Sequence, residues 1–424
     1  MSARPLSAAR ERLRRGMDAL GTERPEPPGP GGWEAPALLI LTLALLAFGL
    51  VMVYSASAVM AQSRGLPDYH FVVRQALGGA AGLLALVICA QVRPALLRAL
   101  AWPILAASGV LLLITILPGT ETIAPRVNGA RRWLSIGPLT IQPVEFAKLA
   151  VIVWTAALAV RKRELLRSLS RGLLPFLLVW GGLALLLVLQ PDYSSAALLV
   201  MLASLVVFAA GGRPAHFVAL GLVGTPLALH QISGATYRAG RVAAFLDPAG
   251  DTGGVAYQIN QALIAVGSGG WLGRGVGRGQ QKFGFLPEPH NDFLFAMIGE
   301  EWGLLGTAAI LAAFVAFALI GYRIARRSAG PFEALLAIGL TNLIVVQALL
   351  HMAVNLALVP TTGLTLPFLS YGRSSLIVCL AAAGLLISLA RAADEEARGR
   401  ERRTQAERRR QVAARRNRRR RAAA

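Results

Sequence analysis

Arg131-Arg132-Trp133, followed by Gln142-Pro143-Val144-Glu145-Phe146-Ala147-Lys148-Leu149, sets two arginines ahead of a Glu/Lys pair. Glu145 and Lys148 stand three apart, so they share one helix face and can pair. Pro143 suits the first turn of that helix. A self-satisfied ion pair at a helix end explains the two as well as a function does. Ionisable groups at membrane depth are nonetheless functional suspects. With Arg132 beside them the local charge is positive, which suits a phosphate.

A second stretch is Leu286-Pro287-Glu288-Pro289-His290-Asn291-Asp292-Phe293-Leu294-Phe295, running on to Gly299-Glu300-Glu301-Trp302-Gly303. Asn291 or Asp292 ahead of an apolar run reads as a helix N-cap. Asp292 also follows a polar, Pro-stiffened loop and opens a helix at the membrane surface. A carboxylate half-shielded there has a raised pKa and can accept a proton. Glu145, Asp192, Asp251, Glu288, Glu300 and Glu301 compete for that role, and spacing does not choose among them.

A third stretch, Pro360-Thr361-Thr362-Gly363-Leu364-Thr365-Leu366-Pro367-Phe368-Leu369-Ser370-Tyr371-Gly372-Arg373-Ser374-Ser375, has Pro and Gly at positions that forbid a regular helix. It reads as a shaped re-entrant loop, tolerated at membrane depth where it is protein-buried or lines a cavity. Its hydroxyls and Arg373 would line a polar groove. Gly267-Ser268-Gly269-Gly270 and Gly273-Arg274-Gly275-Val276-Gly277-Arg278-Gly279 show GxGxxG-like spacing, but no βαβ unit surrounds them and a dinucleotide site fails. A flexible loop is the plainer reading, with an anion-binding nest beside Arg274 and Arg278 as the alternative. His70, His216, His230, His290 and His351 are scattered, with no metal-ligand spacing. Cys89 and Cys379 each lie in an apolar run, which excludes a disulfide framework. Gln190-Pro191-Asp192-Tyr193 reads as a tight outer turn.

These stretches must be positioned by membrane helices. Hydrophobic residues make up 55% of the 424 and charged ones only 15%, well below the share in soluble domains. Apolar runs fall at 36–56, 72–91, 99–117, 143–160, 173–190, 193–211, 215–233, 303–323, 333–358 and 374–392. The expected fold is all-α and polytopic, with about ten transmembrane helices. An even count puts both termini on one side, and both are Arg-rich, so that side is cytoplasmic. Residues 1–34 read as a disordered leader without a cleavable signal peptide, 35–392 as the membrane domain, and 393–424 as a basic cytoplasmic tail.

The net charge of +21 does not mean nucleic acid. From Arg391 to Arg421 there are 14 arginines against 5 acids, a composition expected to be disordered from Arg398 onward and to lie on anionic lipid. Most other cations follow the positive-inside pattern. The exceptions are outer segment 118–142, with Arg126, Arg131 and Arg132, and outer segment 234–302, with Arg238, Arg241, Arg274, Arg278 and Lys282. An anionic ligand on the outer face would account for them. The second segment is far longer than usual connections, a mark of functional loops, and is expected to form short helices on the outer membrane surface.

Together the pieces NGARRW (128–133), QPVEFAKL (142–149), QPDYSS (190–195), YQINQALIAVGSGG (257–270), LPEPHNDFLFAMIGEEWG (286–303) and PTTGLTLPFLSYGRSS (360–375) resemble the SEDS family of bacterial cell-wall polymerases, the shape, elongation, division and sporulation proteins. The resemblance covers roughly 40–390. Residues 273–293 are more similar to the division and sporulation type (FtsW, SpoVE) than to the elongation type (RodA), which usually carries Asn-Gly-Thr-Gln where this chain has Gly277-Arg278-Gly279-Gln280.

The resemblance implies a peptidoglycan glycosyltransferase that polymerises lipid II, a disaccharide-pentapeptide on undecaprenyl pyrophosphate, at the division septum. The family's essential aspartate falls on Asp292 as general base. Its basic residues fall on Arg132 and Lys148, with Glu145 beside them; Lys282 and Arg373 complete the expected substrate contacts. This chain has Asn291 where many relatives have Thr. The implied partners are a class B penicillin-binding transpeptidase, other division membrane proteins and membrane lipids. No fixed cofactor is implied; a divalent cation, Mg or Mn, would accompany the lipid pyrophosphate. A lipid II flippase and a division scaffold without catalysis are the alternatives. The flippase needs midplane charges and internal symmetry, and the scaffold needs dispensable outer loops.

Overall fold

The computed structural model describes residues 32–127, 129–137, 139–233 and 255–423. In chain order its helices are α1 (Glu34–Ser63), α2 (His70–Cys89), α3 (Pro94–Ala99), α4 (Ala101–Ile116), α5 (Pro143–Arg161), α6 (Leu174–Leu189), α7 (Tyr193–Ala209), α8 (Pro214–Ser233), α9 (Val255–Ser268), α10 (Leu294–Arg327), α11 (Pro331–Asn355) and α12 (Arg373–Ala423). Each apolar run of the sequence falls on one of them. Seven of the described helices are long and apolar enough to cross a membrane, and α4 and α7 are shorter apolar helices. Helices are the form that satisfies backbone groups where no water reaches.

Three helices are central. In α5 and α11, 78% of the apolar window is buried, and in α12 83%, against 33–39% for α1, α2 and α10. The outer helices therefore turn most of their surface outward and the polar residues that need protein partners concentrate on the inner three. α12 lies along α2, and α10 along α11.

The all-α expectation has one local exception. Segment 118–142 contains an antiparallel hairpin, β1 (Leu134–Ile136) and β2 (Leu139–Ile141), with Leu134 opposite Ile141. Leu-Ser-Ile and Leu-Thr-Ile alternate in period two around Gly137, whose φ of 60° makes the turn.

The long outer segment is also more built than expected. Residues 234–254, with Arg238, Arg241 and Asp251, lie outside the described residues, as does 1–31 of the leader. α9 buries Ala256, Ile259, Ala262 and Ala265, one helical face, and packs on α10 and α11. α10 starts nine residues before the apolar run expected there and kinks at Gly303, where φ is 65° and ψ −160°. The kink frees backbone groups, and the Gly-rich loop takes them. Arg274 and Gly275 N–H donate to the Glu300 and Glu301 carbonyls at 3.0 Å each. Leu304 and Leu305 N–H donate to the Gly270 and Trp271 carbonyls at 2.8 and 3.2 Å. The glycine-rich stretch is therefore a fitted backbone clasp rather than a flexible loop.

The tail differs too. α12 continues as helix to Ala423, where disorder was expected from Arg398. Ala, Arg, Gln and Glu are strong helix formers, and Glu396 and Arg400 pair across one turn at 2.7 Å.

Candidate active site

Asp292 sits half-buried at the end of a chain of turns, two residues before α10. Asn291 and Asp292 N–H both donate to the Glu288 carbonyl, at 3.1 and 3.2 Å. The residue preceding α10 is Phe293, and it makes no side-chain cap bond. The cap comes from α11 instead. Asn355, fully buried, accepts from Ala296 N–H at 2.9 Å and donates to the Asp292 carbonyl at 3.1 Å. Asn291 Oδ1 is buried and has no hydrogen-bond partner among the described residues. The N-cap reading of Asn291 therefore fails.

His290 holds the turn from the other side. Its ring lies against Phe71 and Tyr371, with centroids 4.6 and 5.3 Å away, and its carbonyl accepts from Tyr371 N–H at 2.9 Å. This joins the Asp292 turn to the re-entrant loop. Burial pushes the His290 pKa down to about 4, opposed by Glu288 with Oε2 at 3.7 Å. Glu288 also pairs with Arg64 at 3.1 Å.

Pro143 opens α5, as expected, and Glu145 and Lys148 pair at 2.9 Å. Lys148 is completely buried. A lone buried ammonium would be costly. Gln347 Oε1 accepts a second bond from it at 2.8 Å. Gln347 Nε2 then reaches the Thr365 carbonyl at 3.0 Å and Ser375 Oγ at 3.3 Å. The pair is thus wired to the re-entrant loop and the start of α12. Ser374 Oγ accepts from Gln142 N–H at 2.9 Å, which brings the first turns of α5 and α12 together.

Arg373 stands at that junction, the first residue of α12. Its stem lies over Gly78 of α2, where an added Cβ would meet its Cγ at 2.9 Å. Among the described residues it makes no hydrogen bond or ion pair. A cation at a helix N-terminus opposes the macrodipole by about 0.3–1 kcal/mol, so a helix gains nothing from Arg373 without an anion. Arg132 has a structural task as well. It donates to the Gln190 carbonyl at 3.4 Å and to that of Pro191, just past the C-terminal end of α6. Asp192, kept as a secondary carboxylate, caps α7 through Ser195 N–H at 3.3 Å. Arg131 pairs with Glu121.

Lys282 lies elsewhere. It is buried, donating to Glu301 Oε1 at 3.1 Å and to the Gly277 carbonyl at 2.7 Å. Ser55 Oγ donates to both Glu301 oxygens at 2.6 and 2.8 Å, and Gly277 N–H donates to Oε2 at 3.1 Å. Glu300 accepts from Gln280 and Gln281 N–H at 2.7 and 3.2 Å. The Gly-rich loop forms the anion-binding nest that was the alternative to a flexible loop, and its anions are Glu300 and Glu301 of the same chain. Lys282 fastens that loop to α1 and α10. Both acids leave the list of competing bases for the same reason.

Sequence reasoning missed Gln347 and Asn355 and counted His351 only as scattered. All three lie on one face of α11, four residues apart. His351 Nδ1 is 2.7 Å from the Leu364 carbonyl. The signal was available, since polar residues at i, i+4 and i+8 within an apolar span need partners on one side. Two clefts, of about 600 and 500 Å³, open near Gln91–Leu96 and near Arg93 and Glu396, and none of the site residues lines them. Among the described residues no group of three or more His, Cys, Asp or Glu could hold a metal ion.

Residues 36–395 match the family of cell cycle proteins named for FtsW, RodA and SpoVE. A probable peptidoglycan glycosyltransferase FtsW of Trichlorobacter lovleyi is 38% identical over 352 residues, 83% of this chain and 92% of that one. Stage V sporulation protein E of Bacillus subtilis is 38% identical over 354 residues, covering 84% and 96%. A solved chain from a peptidoglycan synthase complex, in which polymerization and crosslinking are coordinated, superposes with a TM-score of 0.69 at 28% identity, covering 84% of this chain and 97% of that one.

Proposed function

The chain belongs to the FtsW, RodA and SpoVE family of cell cycle proteins, and we propose that it polymerises lipid II into β-1,4 glycan at the division septum with Asp292 as general base. It is a multi-pass membrane protein and a peptidoglycan glycosyltransferase. The observation that carries the assignment of Asp292 is its setting. Its turn is held by α11 through Asn355 and by the re-entrant loop through Tyr371.

The growing glycan is the donor. Its terminal sugar carbon bonds to a pyrophosphate oxygen, and the 4-hydroxyl of an incoming lipid II attacks that carbon from the opposite side. Asp292 takes the hydroxyl proton as the new bond forms, while the old bond breaks and the electron pair leaves on the pyrophosphate. A single displacement inverts the α-linked donor to a β link. Arg373 and Lys148 oppose the charge that builds on the leaving group. Glu145 balances Lys148, and a pyrophosphate would take over that charge. Arg132, on the α6 carbonyls, supports the same positive region from the hairpin side. Lys282 acts by fastening the outer loop.

A divalent cation, Mg or Mn, would arrive with the lipid pyrophosphate. The class B penicillin-binding transpeptidase is the proposed partner, alongside other division proteins. The arginine-rich end of α12 suits the anionic inner leaflet. The test is polymerisation of labelled lipid II by the purified full chain, with and without that transpeptidase. Glycan strands with the transpeptidase present are expected. Their absence, with the protein folded and binding lipid II, would point to transport or scaffolding instead.

A further inference from the structure

We propose that Asn355 is a positioning residue for the transfer step, holding Asp292 in place through its backbone carbonyl; this rests on Asp292 being the base.

Asn355 ends α11, and all of it is buried. Its amide does two things with its two ends. Oδ1 accepts from Ala296 N–H at 2.9 Å, closing one of the open N–H groups in the first turn of α10. Nδ2 donates to the Asp292 carbonyl at 3.1 Å and to the His351 carbonyl at 2.8 Å. One side chain therefore fixes both the first turn of α10 and Asp292, two residues ahead of it, to a helix that belongs to the inner core. The turn has other ties, among them the Arg64–Glu288 pair at 3.1 Å. The Asp292 N–H bond stays within the turn, to the Glu288 carbonyl at 3.2 Å, and Glu288 sits in left-handed backbone with φ at 48°. His290 is held by ring packing and by Tyr371 N–H, which donates to its carbonyl at 2.9 Å.

The same helix carries Gln347, two turns earlier, which holds the Lys148 ammonium at 2.8 Å. Eight residues of α11 rise about 12 Å. That is the order of the distance from a base, across an attacking hydroxyl and the reacting carbon, to a cation on the leaving phosphate, given near-attack contacts of about 3 Å at each step. α11 thus fixes the carboxylate side and the leaving-group side of the reaction on one rigid element. Loosening the Asp292 end shifts the base while leaving the cations where they are.

The experiment uses the full chain with its transpeptidase and labelled lipid II. Asn355→Ala, Asn355→Asp and Asp292→Asn are compared by kcat, KM and thermal melting. Asn355→Asp keeps an oxygen for Ala296 N–H and, ionised, has no donor for the two carbonyls. If Asn355 positions the base, both of its variants lose kcat by about 100-fold, the effect of a 1 Å misplacement, with KM unchanged at temperatures where they are folded. If it only caps α10, Asn355→Asp keeps the wild-type kcat and Asn355→Ala shows a lower melting point alone. That result overturns the proposal and leaves Asp292 as base. A full rate from Asp292→Asn sinks the base reading itself, and with it any role for Asn355 through that residue. Should Asn355→Ala fail to fold, the Asn355→Asp comparison still decides.

Discussion

Replacing Lys148 with Met tests whether the buried charge in α5 is chemical or only structural, provided Glu145 is changed with it. Alone, Lys148→Met leaves a carboxylate that is 6% exposed without its ammonium, whose nitrogen lies 2.9 Å away. Breaking one side of a buried pair costs about 3–5 kcal/mol. Gln347 also loses its 2.8 Å donor, worth about another 1–3 kcal/mol. Against a total stability of about 5–15 kcal/mol, the single variant is expected to melt early, and its inactivity would say nothing about chemistry. Glu145→Gln with Lys148→Met removes both charges and keeps similar volumes, a swap that is often close to neutral in stability. The double variant is expected to regain most of the melting temperature in detergent and to remain unable to extend glycan from labelled lipid II. Polymerisation at the wild-type rate by that well-folded double variant would refute a role for the Lys148 charge in transfer and leave the ion pair as structure alone.

Three further outcomes are expected. Arg373→Ala should raise the KM for lipid II by about 10- to 100-fold, the worth of one charge-assisted bond, with at most a small loss of melting temperature from the stem packed on Gly78; an unchanged KM would remove it from the site. Gly303→Ala should cost on the order of 3 kcal/mol or more, because φ of 65° with ψ of −160° is nearly confined to glycine and a Cβ would overlap the Gly273 backbone; a normal melt would show that the clasp can relax. His290, with its pKa pushed down to about 4 by burial, is neutral in the fold. The unfolded chain takes its proton first as pH falls, so stability is full above about 6.5 and declines towards pH 4. His290→Phe should flatten that part of a melting-temperature profile, and an unchanged profile would assign the acid loss to other groups.

The helices were legible because long apolar runs leave little alternative at membrane depth, and the Glu145–Lys148 pair because three-residue spacing fixes a shared face. What escaped was long-range. Lys282 carries the same charge as Lys148 or Arg373, and nothing in its neighbourhood says that Glu301, 19 residues on, and Ser55, 227 residues back, enclose it. The glycine-rich stretch looks flexible until the break at Gly303 supplies the backbone groups it fits. The hairpin was visible as Leu-Ser-Ile-Gly-Pro-Leu-Thr-Ile alternation but was overshadowed by the expectation of helices alone. The tail's helix came from residues of high helical propensity, which a reading based on charge and low hydrophobicity set aside. Asn355 was legible only as the last of three polar residues, with Gln347 and His351, at four-residue spacing in an apolar run; its bonds to Asp292 and Ala296 are long-range and needed the fold.

The measurement closest to the central claim is the rate at which Asp292→Asn, with the partner transpeptidase present, turns labelled lipid II into glycan strands. Asn keeps the size of the side chain, and α10 takes its cap from Asn355, so the variant should insert, melt and bind lipid II as the wild type does. With a carboxamide that cannot take the proton, strand formation should fall by at least the roughly 100- to 10,000-fold that general-base catalysis supplies. Strands made at the wild-type rate would show that Asp292 is not the base.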